Sequence, residues 1–397
     1  MKPSLLALAL VASPVFAQAQ DATQAPQKTE QQRIQDLERK VDILSQQLEA
    51  QATGSTAPVA NGGAGSYGLG SAASKVYDAS TGLSIGGYGE FVYQNFSKKL
   101  QDGTTDPKND QFDTLRGVVY VGYHFNDRIV FNSEIEFEHS GYSDEHPEGE
   151  AIIEFAYLDF LVNKAINVRA GQLLLPLGFT NELHEPPAVL SANRPFVEHD
   201  IIPTTWHENG VGLHGDLPAN LSYRLYLVEG LNGGKFNAEG IRDGRQDGNK
   251  AIANRFALTG RLDWRPIPGA TAGFGFYKGS SVHTDSIDTP ISGITIPTTL
   301  LEVHTEYKAM GWQFRGLYAR TTLGASDLSD LGVADPAYQA GTRQWGGYLE
   351  AGYDALSHTG SKQALIPFVR WERMNTQAEV LAGVVPDGAN DQSILTA

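Results

Sequence analysis

Residues 178–210, GFTNELHEPPAVLSANRPFVEHDIIPTTWHENG, gather the side chains best suited to chemistry: Glu182, His184, Glu185, Glu198, His199, Asp200, His207 and Glu208, with Arg194 among them. Imidazole and carboxylate are the ligands that zinc and similar divalent ions take. The spacing is irregular, however, and no HExxH motif or helical pair of histidines organises it. A long loop folded into a wet interior needs the same polar side chains to hydrogen-bond to its surroundings. Ordinary loop packing is therefore the preferred reading, and no metal or cofactor is assigned. Catalysis is not expected, because the histidines and aspartates come without a G-x-S-x-G elbow. The absence of cysteine removes thiolate nucleophiles, thiolate metal sites and disulfides together.

A second set of charges is laid out with period two. In RIVFNSEIEFEHS, residues 128–140, Ile129, Phe131, Ile135 and Phe137 share one parity, and Asn132, Glu134, Glu136 and Glu138 the other. Successive side chains of a strand point to opposite faces, so this ribbon is apolar on one side and acidic on the other. The same alternation sets Leu115, Val119, Val121 and Tyr123 against Arg116, Tyr120 and His124, and Leu301, Val303 and Tyr307 against Glu302, His304 and Glu306. Across the chain the polar parity offers Arg116, Arg169, Arg224, Arg261, Arg315 and Arg370, opposed by carboxylates that include Glu90, Asp159, Asp263, Glu350 and Glu372.

Such positions need strands to hold them, and about thirteen are legible from residue 83 onward with no helix between them. Their connections alternate. Short ones fall at 126–127, 163–164, 218–219, 265–269, 308–311 and 355–361, and long polar ones at 95–112, 139–151, 176–209, 230–252, 280–298, 323–341 and 375–390. A transmembrane barrel has this asymmetry, with short turns at one rim and long loops at the other, whereas a soluble sandwich has no reason for it. The apolar parity then faces lipid and the charged parity a water-filled lumen. Tyr123, Phe125, Trp264, Trp312 and Tyr353, beside the short turns, fit an interfacial girdle. An even strand count is expected, yet a fourteenth strand would begin only at Gln392, so two or three more strands are expected beyond Ala397.

The N-terminal part differs in kind. Residues 1–19 have the charge, apolar run and small residues of a secretory signal peptide, which places the protein outside the cytoplasm. Residues 20–50 hold Ile34, Leu37, Val41, Leu44 and Leu48 at three-four spacing, a coiled-coil helix of about two heptads. The Gly-, Ala- and Ser-rich stretch over 51–82 reads as a flexible linker to a barrel domain over 83–397. A net charge of −16 argues against nucleic acid as a partner.

The segment 156–189 resembles the phosphate-selective porin O and P family: a tyrosine-rich strand, a short turn, an R-x-G-Q strand and a P-x-G-F exit into a long loop. The residues concerned are Tyr157, Asp159, Arg169, Gly171, Gln172, Pro176, Gly178 and Phe179. The resemblance implies a sixteen-stranded homotrimeric porin of the bacterial outer membrane, whose third long loop folds into the pore as a constriction. That loop carries Glu182, His184, Glu185, Arg194, His199 and His207. It also implies passive diffusion of small hydrophilic solutes or anions, drawn by a run of lumenal arginines. The residues themselves describe a mixed lumen, with Glu134, Glu136 and Glu138 opposing those arginines, which suits a general diffusion pore more than a phosphate trap. Two alternatives stand beside this reading: a tether from the outer membrane to peptidoglycan through the coiled coil, and a divalent-metal-selective channel.

Overall fold

The computed structural model describes residues 69–79, 81–100, 102–141, 149–282, 295–324, 339–361 and 363–397. The signal peptide and coiled coil expected from the sequence lie outside them. The described residues form one antiparallel sheet whose strands follow chain order. These are β1 (Gly82–Gln94), β2 (Gln111–Asn126), β3 (Ile129–Glu138), β4 (Glu150–Leu161), β5 (Asn167–Leu174), β6 (His207–Leu217) and β7 (Leu221–Glu229). They continue as β8 (Phe256–Trp264), β9 (Ala270–Val282), β10 (Thr295–Ala309), β11 (Trp312–Leu323), β12 (Arg343–Tyr353), β13 (Phe368–Glu379) and β14 (Asp391–Thr396). The count is fourteen, against the sixteen that the family resemblance implies, and among the described residues no ladder joins β1 to β14. No described helix is long and apolar enough to cross a membrane.

The long and short connections alternate as read from the sequence up to β12. The β12–β13 connection breaks the pattern, because it runs over 354–367 rather than the short 355–361. Its length comes from a turn around Asp354, whose carboxylate accepts from the backbone N–H groups of Leu356 and Leu365 and so delays the return strand.

The two faces of the sheet separate by residue type. Val119, Leu225, Leu262, Leu301 and Val303 are exposed on one face, while their strand neighbours Tyr120, Arg224, Asp263 and Glu302 are buried on the other. Tyr123, Phe125, Trp264 and Trp312 stand exposed near the short turns, with Tyr123 stacked edge-on to Phe125 and Trp312 against Tyr353, each pair 4.8 Å apart. What buries the polar face is the chain itself. The β5–β6 loop, residues 175–206, packs on it through Leu175, Leu177, Val197, Ile201, Ile202 and Trp206, all with no exposed surface.

Residues 69–79 also lie on that face, which corrects the reading of 51–82 as linker throughout. A four-residue helix, α1 (Lys75–Asp78), buries Val76 and Tyr77, and Leu69 and Ala73 are buried beside them. The small residues that suggested flexibility serve close packing here. Gly70 is one such place, where a Cβ would collide with the Glu185 carboxylate, and on the wall Gly122 of β2 leaves room for the segment, since a Cβ there would come within 2.5 Å of the Val76 side chain.

Candidate functional site

The polar face of the sheet carries six arginines whose contacts reach carboxylates on their own and neighbouring strands and the chain packed over that face. Arg116 on β2 pairs with Glu90 on β1 and with Glu136 on β3, and its Nη2 donates to the His184 carbonyl at 3.0 Å. On β5, Arg169 donates to Asp159 at 2.8 Å and to the Tyr77 hydroxyl at 3.4 Å, and its guanidinium lies 4.3 Å from the centre of the Tyr157 ring. Arg224 on β7 meets Glu182 at 3.0 Å, and Arg261 on β8 holds Asp263 at 2.8 Å and the Gly178 carbonyl. Arg315 on β11 binds Glu306 at 2.7 Å and the Ala188 carbonyl at 3.1 Å, while Arg370 on β13 binds Glu372 at 2.9 Å, Glu350 at 3.1 Å and the Asn193 carbonyl at 3.4 Å.

These six arginines share one plan. Each arginine takes at least one carboxylate from a strand or the loop and spends a remaining donor on the material packed against the wall. Five of them hold the loop, at Gly178, Glu182, His184, Ala188 and Asn193, and the sixth holds the 69–79 segment through Tyr77. Guanidinium suits the task because its five donors form a planar fork that satisfies a carboxylate and still has N–H groups to spare. Arginines that sequence parity offered as attractors of anions are therefore engaged as anchors.

Carboxylates complete the fastening. Glu198 accepts from the backbone of Phe179 and Thr180, both at 2.7 Å, and from the Tyr348 hydroxyl at 2.6 Å. Glu185 accepts from the backbone N–H groups of Ala72 and Ala73, so the loop in turn holds the 69–79 segment. Burial pushes the Glu182 carboxyl above the ordinary carboxylate range, although Arg224, Arg261 and Arg169 pull it down. Burial and the nearby Arg116 lower Arg194. From the β7–β8 loop, Arg242 donates to the carbonyls of His199 and Thr204, and Arg245 to those of Pro203 and Thr205, capping the far side of the loop. Burial, together with Arg245, lowers Arg242 to about 10.

The remaining loop histidines do not converge. His199 is 45% exposed and pairs with its neighbour Asp200. His207, expected in the loop, is instead the first residue of β6, buried opposite Leu174, because the ladder with β5 extends that far. Glu138 is only half-buried at the end of β3. His184 reaches two carboxylates of the strands. Its Nε2 lies 3.0 Å from Glu134 Oε2 and 2.8 Å from Glu154 Oε2.

Glu154 was invisible to the parity argument, which assigns it to the apolar face with Ala156 and Leu158. A β-bulge explains the difference. Glu134 pairs with Phe155 and Ile135 with Ile153, so Glu154 is an extra residue in β4 and turns inward beside Phe155. Bulges re-aim side chains in this way. The available signal was the glutamate itself, a charged residue on a parity otherwise destined for the apolar face.

No protein-family model matches the chain. A protein of Aquifex aeolicus (strain VF5) described as uncharacterized is 36% identical over 328 residues, covering 80% of this chain and 71% of that protein. Among solved structures, the chain is similar to an anion-selective porin from Comamonas acidovorans at 9% identity, over 75% of this chain and 80% of that one, with a TM-score of 0.48. It is also similar to Salmonella typhi OmpF in complex with daunomycin, at 10% identity over 76% and 81% of the two chains and a TM-score of 0.44. A third likeness, to the outer-membrane channel DcaP of Acinetobacter baumannii, is at 12% identity over 79% and 96%, with a TM-score of 0.39.

Proposed function

We propose, from the premise that this chain belongs to one family with the Aquifex aeolicus protein, that it is an outer-membrane porin. On this reading the sheet closes into a barrel that passes small hydrophilic solutes down their gradients, with no chemistry and no coupled energy source. The observation that carries the proposal is the separation of the two faces. A contiguous face of Leu, Val, Phe and Trp side chains left exposed over the whole sheet is more apolar surface than a water-soluble monomer tolerates. Lipid accommodates it, and the buried polar face is then a lumen. Closure follows from the same premise, since the hydrocarbon core offers no partner for an open strand edge. The homotrimer is part of this reading through the family resemblance, and crosslinking in native membranes tests it.

The lumen is a constricted and charge-compensated one. The β5–β6 loop narrows it, and the six arginines are bound to carboxylates and loop carbonyls rather than lined up toward water. We therefore favour a general diffusion pore with weak ion selectivity over a phosphate-selective one. Single-channel recording in a planar bilayer under a salt gradient tests both levels. Stepwise conductance with a small reversal potential and no block by phosphate is expected. An anion-selective current blocked by phosphate would overturn the selectivity, and no conductance from folded protein would overturn the porin.

A further inference from the structure

We propose that Glu134, Glu154 and His184 form a binding site for one first-row divalent cation, of the zinc class, that clamps the β5–β6 loop to strands β3 and β4. The ligand atoms of the three residues lie within 4.8 Å of one another, and all three side chains are buried. They come from three separate elements, so an ion between them joins loop to wall.

Hydrogen bonding around the cluster sets each group to face inward. His184 Nδ1 is 3.0 Å from the Asn181 carbonyl, which can only accept, so Nδ1 carries the proton and Nε2 presents its lone pair to the carboxylates. Such a backbone partner on the far nitrogen is what orients metal-binding histidines. Glu134 Oε1 accepts from the Tyr120 hydroxyl at 3.0 Å, and Glu154 Oε1 accepts from the Thr205 hydroxyl at 2.5 Å. Each carboxylate thus keeps its Oε2 for the cluster centre.

Without a cation this arrangement is short of donors. A second proton on Nε2 supplies one N–H for two buried carboxylates, and it is directed at Glu134. Glu154 Oε2, fully enclosed, makes no hydrogen bond although Nε2 is 2.8 Å away. A divalent ion satisfies both oxygens and the nitrogen lone pair at once. One imidazole with two carboxylates suits zinc or manganese better than calcium or magnesium, which take oxygen ligands throughout. In a tetrahedral zinc site with bonds near 2.1 Å, neighbouring ligand atoms stand roughly 3.4 Å apart. The observed 2.8–3.0 Å separations need to open by about half an ångström, a change within reach of small side-chain rotations.

The test uses the full chain, purified in detergent without a histidine tag, stripped with chelator, and titrated with zinc by calorimetry and elemental analysis. One tightly held equivalent is expected. Glu154→Gln and His184→Asn should weaken it at least 100-fold. Thr205→Val, which removes only the hydroxyl orienting Glu154, should weaken it about tenfold and decides the matter if the ligand variants fail to fold. His199→Gln should leave binding unchanged. No stoichiometric zinc, affinity unchanged in folded Glu154→Gln, or binding lost in His199→Gln would each overturn the proposal. None of these outcomes depends on conductance, so the site and the porin stand or fall separately.

Discussion

Two anchors of the same loop, at Arg370 and at His184, solve the same problem with different donors. Arg370 faces Glu350, Glu372 and the Asn193 carbonyl, and its fork serves all three with separate N–H groups. His184 faces Glu134, Glu154 and the Asn181 carbonyl, and one ring nitrogen is left for two carboxylates. The first anchor is closed: each of its acceptors has its own N–H group from within the chain. The second is open to a proton or to an ion. The difference teaches that the loop is fastened permanently along most of its length and conditionally at one point.

The largest effect should come from breaking the closed kind. Arg370→Met leaves Glu350 and Glu372 buried without their cation, which typically costs about 3–5 kcal/mol. A lowered urea midpoint for unfolding in detergent, with easier proteolysis of the loop near residue 193, is the expected result. An unchanged midpoint would show that the guanidinium is not an anchor, and the contrast with His184 would collapse. A smaller loss should follow from Gly122→Val. The added side chain meets Val76, and overpacking of this sort costs about 2–3 kcal/mol. Displacement of the 69–79 segment should then raise single-channel conductance, whereas the same value as the parent would mean that this segment does not obstruct the pore.

The same comparison explains what could be read in advance. Strand parity put Arg116, Arg169, Arg224, Arg261, Arg315 and Arg370 on the polar face of the sheet, because alternation is a local property of a strand. It said nothing of how they hold the loop, since most of those partners lie far along the chain: His184 is 68 residues from Arg116, and Asn193 is 177 from Arg370. Local reading therefore found an arginine series and missed that it fastens a loop. The cluster at His184 was legible by half. Its histidine and Glu134 were both candidates, but the bulge that brings in Glu154 is a two-strand event with no signature in one strand alone. Residues 69–79 were misjudged for a related reason. Gly, Ala and Ser lower a segment's hydrophobicity, yet they also let it pack closely, as at Gly70 against the Glu185 side chain.

The smallest effect sharpens the comparison through pH, on chelator-treated protein. His184 is held well above the ordinary histidine pKa: burial opposes the charge, but Glu134 and Glu154 outweigh it. The other ionisable groups around the cluster are Arg116, which donates to the His184 carbonyl, Arg194, Glu136 and His207. A histidine whose folded pKa is raised gives its full stabilisation below the unfolded value of about 6.5 and loses it as pH climbs through the folded value. The loop should therefore loosen above neutral pH, by roughly 1.5 kcal/mol, the lower end for a hydrogen bond to a charged group. Proteolysis of the 175–206 loop should accelerate from pH 7 to pH 10 in the parent, and the slope should flatten in His184→Gln. His199→Gln, an exposed change worth less than about 0.5 kcal/mol, should keep the parental slope. Any pH dependence shared by both anchors would place its origin outside the His184 cluster.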